Sequence, residues 1–127
     1  MKVLLDTQVL FWWYAEPEKL TKRARAALED AEITVLVSAV VAWELAIKAA
    51  IGKIDALSLV LDLNAYLADA GFLELPVTVS QATRVALLPP HHRDPFDRLL
   101  IAQAQELQVQ IVSSDPVLDR YDIRRLW

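Results

Sequence analysis

Four acidic side chains of this 127-residue chain stand where chemistry, rather than solvation, would explain them. Asp6 ends the apolar run Lys2–Leu5, and Asp115 follows the run Gln110–Ser113. Glu44 is the sole acid between Ile33 and Gly52, and Asp97 opens a long apolar-striped segment after Asp94 and Pro95. With no cysteine in the chain, thiolate zinc and iron–sulfur sites are excluded, so any metal must be held by oxygen or imidazole. Carboxylates gathered at one point repel, which raises their pKa values or destabilises the fold unless a cation joins them. Oxygen-only ligands favour Mg²⁺ or Mn²⁺, ions that keep several waters and bind substrate phosphate oxygens. Such a centre suits in-line phosphodiester hydrolysis, with a water oriented for attack and the charge on phosphate and leaving oxygen neutralised.

Each acid also has a plain structural explanation. Asp6 reads equally as a solvated turn residue or as the cap of a helix beginning near Val9. Asp115 precedes Pro116, a pattern that caps a helix without any metal. Glu44 shares a helical side with Val40, Val41, Ile47 and Ile51 and stands four residues before Lys48. An exposed ion pair there contributes only about 0.3–0.5 kcal/mol, a weak reason to carry a charge into an apolar helix. In HHRDPFDRLLIAQA, Asp94 caps and Pro95 begins the helix. Asp97 lies at 100° steps from Leu100, Ile101 and Ala104, inside the apolar stripe, so it faces inward while Asp94 serves as the cap.

The elements that must position these acids alternate along the chain. Lys2–Leu5 and Ile33–Val37 read as buried parallel strands, joined by an amphipathic helix over Leu20–Asp30 with Thr21 as N-cap. Helices are expected over Ala39–Ile51, stopped by Gly52, and over Ser58–Ala70, stopped by Gly71, both glycines suiting left-handed positions. A strand over Phe72–Val77, a helix over Ser80–Leu87, a helix from Pro95 to about Leu107, the strand Gln110–Ser113, a short helix at Pro116 and an edge strand Ile123–Leu126 complete the pattern. This is an α/β chain: a three-layer α/β/α sandwich around a mostly parallel sheet, formed as a single domain over residues 1–127, with ligands outside the carboxyl ends of the strands.

Composition narrows the classes further. At 55% apolar content with two glycines, the chain has ample surface to bury and is no disordered tail. Ile33–Ile51 is long enough to span a bilayer, but a central Glu and Lys each cost roughly 2.5–3.5 kcal/mol there. A strand feeding a buried helix fits better, no secretory signal is read at the start, and a reducing cytoplasm fits the lack of cysteine. A formal net charge of −4 weighs against nucleic acid until four acids are assigned to a cation; the remainder is then near neutral, and Lys48, Lys53, Arg93 and Arg98 read either as a rim for backbone phosphates or as solvated surface charge and salt bridges to the acids. His91 and His92 lie side by side in a proline-bounded loop, and neither is read as a ligand. Trp12, Trp13 and Trp43 suit packing or partner contact.

The ordered segments LLDTQVLFWW, SAVVAWELAIKAAIGKI, LPPHHRDPFDRLLIAQA and IVSSDPVLDRY resemble PIN-domain toxins of the VapC type over nearly the whole chain. The resemblance implies a Mg²⁺- or Mn²⁺-dependent endoribonuclease that dimerises with itself and is inhibited by a VapB-type antitoxin. It carries the family's four acids onto Asp6, Glu44, Asp97 and Asp115, with the fourth the least uniform in role. Thr7 matches the small hydroxyl after the first acid, and Ser113 stands where the family has threonine. The competing expectation is a non-catalytic PIN-like module that binds protein or RNA. A phosphatase using Asp6 as nucleophile is disfavoured, because Gln8 stands where a second acid would be needed.

Overall fold

The computed structural model describes all of residues 1–127. Five strands form one sheet: β1 (Lys2–Leu5), β2 (Thr34–Ser38), β3 (Leu73–Leu75), β4 (Gln110–Val112) and β5 (Arg125–Leu126). Their order is β3-β2-β1-β4-β5 and every pairing is parallel, so the sheet expected to be mostly parallel is wholly so. Val3, Leu4 and Leu5 in β1 and Ile111 and Val112 in β4 are fully enclosed. Strands buried on both faces require helices on both, which gives the three layers.

The helices are α1 (Thr7–Ala15), α2 (Lys22–Glu29), α3 (Ala39–Ala50), α4 (Leu57–Leu61), α5 (Leu63–Ala70), α6 (Val79–Arg84) and α7 (Pro95–Leu107). Their starts follow local chemistry. Thr21 accepts from the Ala24 amide at 3.0 Å, Ser38 from Val40 at 3.1 Å, and Thr78 and Gln81 form a reciprocal capping box on α6. Gly52 and Gly71 both sit at positive φ, as their place after a helix requires.

Four expectations need correction. The single helix expected over Ser58–Ala70 is broken at Asp62, whose backbone leaves the helical region (φ −116°, ψ 22°); Leu59 before the break and Leu63 and Leu67 after it are all buried in the core. The strand expected over Phe72–Val77 contracts to three residues, because Phe72 is buried against Trp13 at the mouth of the strand. The helix from Ser80 to Leu87 starts one residue earlier and tightens into a 3-10 turn at Val85–Leu87. The edge strand expected from Ile123 keeps only its last two residues.

In chain order the strands step outward from β1 through β2 to β3, then return to the other side of β1 for β4 and β5. The reversal falls between β1 and β4. At such a switch point the connections leave in opposite directions and open a crevice beyond the carboxyl ends of the two strands. Asp6 follows β1 directly, and Asp115 comes three residues after the end of β4.

Candidate active site

A cleft of about 240 Å³ opens at this switch point, lined by Asp6, Thr7, Glu44, Lys48, Asp94, Asp97 and Asp115 among others. Four separate pieces of chain bring the acids there. Asp6 leaves β1 with its amide bonded to the Val112 carbonyl of β4, and it caps α1, its Oδ1 accepting from the Val9 amide at 2.8 Å. The helix therefore begins at Thr7, two residues before the expected start, and Asp6 is both a cap and a cleft residue. Asp115 repeats the arrangement after β4: its Oδ1 accepts from the Val117 amide at 3.0 Å and its own amide donates to Ser113 Oγ at 3.0 Å. One oxygen of each carboxylate thus satisfies a helix start while the second is left for the cleft.

Glu44 is only 3% exposed although it is ionisable. Its Oε1 accepts from the Thr7 hydroxyl and its Oε2 pairs with Lys48 Nζ at 2.5 Å. The ion pair considered as the plain explanation is therefore formed, yet both partners face the cleft.

Asp97 occupies the first turn of α7, and its Oδ2 lies 2.8 Å from His92 Nε2. Asp94 caps that helix, its Oδ1 accepting from the Phe96 and Asp97 amides at 2.8 and 3.2 Å. It does more than cap: it lines the cleft, and its charge adds to that of its neighbours.

The electrostatics record the crowding. Burial is the main reason the Asp6 carboxyl is pushed up to about 7; the charges of Asp97 and Glu44 add to it, while the Ser113 hydroxyl and the Val9 amide oppose it. Asp97 rises to about 6, first through burial and then through the charges of Asp94 and Glu44, with His92 pulling the other way. Two carboxyls held near neutral pH, in a cleft where Lys48 is the one full cation among the lining residues, fit a divalent ion with oxygen ligands. The donor atoms that approach within 4.8 Å of one another come from Asp97, Asp115 and His92; Asp6 and Glu44 lie around the same cleft but outside that close group.

His92 is the residue the sequence reading missed. It stands inside the HHRDPFDRLLIAQA segment, but its role was hidden because the ring reaches the acids through a loop held from elsewhere. The loop's keeper is Arg98, one of the residues offered for the RNA rim. Its guanidinium donates to the backbone carbonyls of Val85, Leu88, Pro89 and His92 at 3.0–3.3 Å, leaving little of it for phosphate. A lysine ammonium has neither the fork nor the reach to repeat this. Arg98→Lys is therefore expected to cost about 2 kcal/mol of stability, read as a lower denaturation midpoint at unchanged slope. Lys53 and Arg93 are exposed beyond the cleft lining, and Lys48 lies within it.

The tryptophans divide as well. Trp12 packs on Trp127 and Trp13 on Phe72, each at 5.8 Å between ring centres. Trp43 meets Phe96 edge-on and remains 60% exposed.

A family model described as the PIN domain matches residues 3–124. The chain belongs to the PIN-domain family. Among curated proteins, this PIN domain is 38% identical over 114 residues to Ribonuclease VapC22 of Mycobacterium tuberculosis, covering 89% of this chain and 86% of that protein. The crystal structure of VapBC2 from Rickettsia felis, bound to a DNA fragment from its promoter, holds a chain of the same fold. The TM-score is 0.67 at 14% identity, over 98% of this PIN domain and 97% of that chain. FitAcB from Neisseria gonorrhoeae gives a TM-score of 0.61 at 20% identity, with 97% and 95% covered. The resemblance to VapC-type PIN domains and the α/β/α sandwich expected from the sequence both hold.

Proposed function

We propose that this PIN domain is a Mg²⁺- or Mn²⁺-dependent endoribonuclease that hydrolyses RNA phosphodiester bonds and acts as the toxin of a toxin–antitoxin pair. The observation that carries the reading is the acid-lined cleft at the β1/β4 switch point, with Asp6 and Asp97 held near neutral pH by burial and mutual charge. Its relationship to a protein named Ribonuclease VapC22 supports the same chemistry.

Asp6, Glu44, Asp97 and Asp115 are the residues that would hold the ion. When bound, the ion supplies Lewis acidity toward a phosphate oxygen and lowers the pKa of an attacking water. The chain supplies the rest. Thr7 and Ser113 hold Glu44 and Asp115 in place. Lys48, Lys53 and Arg93 form the rim that receives the RNA backbone.

The partners follow from a second surface. Trp43, Ile47 and Ile51 succeed one another on one side of α3, and Leu57 and Leu61 extend the exposed apolar area. A VapB-type antitoxin segment and a second copy of the chain are the occupants this reading assigns to the apolar surface, with the protein acting in the cytoplasm. No helix is long and apolar enough to cross a membrane.

The test is direct. Purified protein is expected to cleave RNA in Mg²⁺ or Mn²⁺ and to stop when EDTA removes the ion. Metal binding without any cleavage, across a panel of cellular RNAs, would return the chain to the non-catalytic binding-module reading.

A further inference from the structure

We infer that His92 is a positioning residue of this centre: its Nε2–H donates to Asp97 and fixes that carboxylate with its other oxygen turned to the ion. The inference rests on the metal-dependent reading above. His92 Nε2 lies 2.8 Å from Asp97 Oδ2 and 3.4 Å from Asp115 Oδ2, so one ring nitrogen spans the two acids that approach most closely. Those acids come from α7 and from the end of β4, and His92 is the side chain that bridges them.

The residue is held on every side. Its amide donates to the Tyr121 hydroxyl at 2.7 Å, its carbonyl accepts from Arg98 at 3.2 Å, and Tyr121 itself donates to the Pro89 carbonyl at 2.9 Å. A surface loop histidine with no task would not need its main chain fastened at both ends.

Direct ligation and donation make opposite demands on the ring. A metal ligand at Nε2 needs its lone pair there and its hydrogen on Nδ1. The Asp94 amide already points at Nδ1 from 3.4 Å, and two N–H groups would then face each other. With Nδ1 accepting, the hydrogen sits on Nε2, where Asp97 and Asp115 take it. An outer partner of this kind orients a ligating carboxylate, and its loss typically costs 10–100-fold in metal affinity.

The experiment titrates Mn²⁺ into the full chain at pH 8 and reads the free ion by electron paramagnetic resonance. His92→Ala is expected to weaken binding about 10–100-fold. His92→Gln, which retains an N–H donor of similar reach, is expected to recover most of the loss. Bound Mn²⁺ in the wild type is expected to show no coupling to a directly attached imidazole nitrogen. Unchanged affinity in His92→Ala overturns the inference, as does a glutamine variant no better than alanine. A strong nitrogen coupling that disappears in His92→Ala also overturns it, because the ring is then a ligand. If wild type binds no Mn²⁺, the metal reading falls and this inference with it; if wild type binds while the variants match it, this inference falls alone.

Discussion

Asp6→Asn is expected to abolish RNA cleavage and, in metal-free protein above neutral pH, to make the fold more stable. The two effects have one cause. Asp6 is 8% exposed at the end of the central strand, and burial with its acidic neighbours raises its carboxyl to about 7. Without an ion, ionising it works against folding; asparagine removes that charge while its own oxygen can still accept from the Val9 amide. Each pKa unit corresponds to about 1.4 kcal/mol, so the gain at pH 8 is on the order of 2–4 kcal/mol. Catalysis suffers because an amide nitrogen replaces the carboxylate oxygen that faces the cleft, with an expected loss of at least about 10²–10³-fold, comparable to removing one preorganised charge-stabilising group. Thermal melts at pH 8 in EDTA, paired with cleavage in Mn²⁺, check both halves. A variant that cleaves at the wild-type rate removes Asp6 from the site, and one less stable than wild type contradicts the electrostatic account.

The same carboxyls set the pH dependence of the unmodified protein. From the ordinary aspartate value of 3.8, Asp6 is raised to about 7 and Asp97 to about 6. Between pH 4 and 7 the unfolded chain has therefore lost protons that the folded chain keeps. Stability of the metal-free protein falls as pH rises through that window and levels off above it; at lower pH, where both states are protonated, these groups contribute nothing further. Added Mn²⁺ should reverse the trend, because protons and ion compete for the same oxygens. At 100 times its dissociation constant the ion contributes about 2.7 kcal/mol, and this increment should be largest at pH 8 and nearly absent at pH 5. Denaturation midpoints at several pH values, with EDTA and with Mn²⁺, measure it. A metal-free protein most stable at pH 8, or an ion effect equal at both ends, would contradict the arrangement described.

How much of this was legible beforehand depends on which residues carry the information locally. Asp6 and Asp115 were readable because an acid directly after a buried strand can only emerge at the carboxyl edge of a parallel sheet. Asp97 was readable from the 100° periodicity of its helix, and Glu44 from being a lone charge on an apolar one. The break at Asp62 was not readable, since neither proline nor glycine marks it and Leu59, Leu63 and Leu67 keep the four-residue spacing of one continuous helix. Arg98 and His92 escaped for a similar reason. Their roles come from contacts with Val85, Leu88, Pro89 and Tyr121, and only the folded chain brings those groups together.

Asp6, Asp94 and Asp115 each commit Oδ1 to the start of a helix, and Asp97 commits Oδ2 to His92. Each of these aspartates therefore has one oxygen already in a hydrogen bond, and the second oxygen of Asp115 lies 3.4 Å from His92 as well, so gripping an ion with both oxygens would mean sharing or giving up such a bond. Calcium fills its larger shell of six to eight oxygens partly through two-oxygen carboxylate contacts, whereas magnesium takes a small octahedron of single oxygens and waters. On the proposed reading, the hydrogen bonds that anchor these acids also disfavour calcium, by denticity rather than by charge.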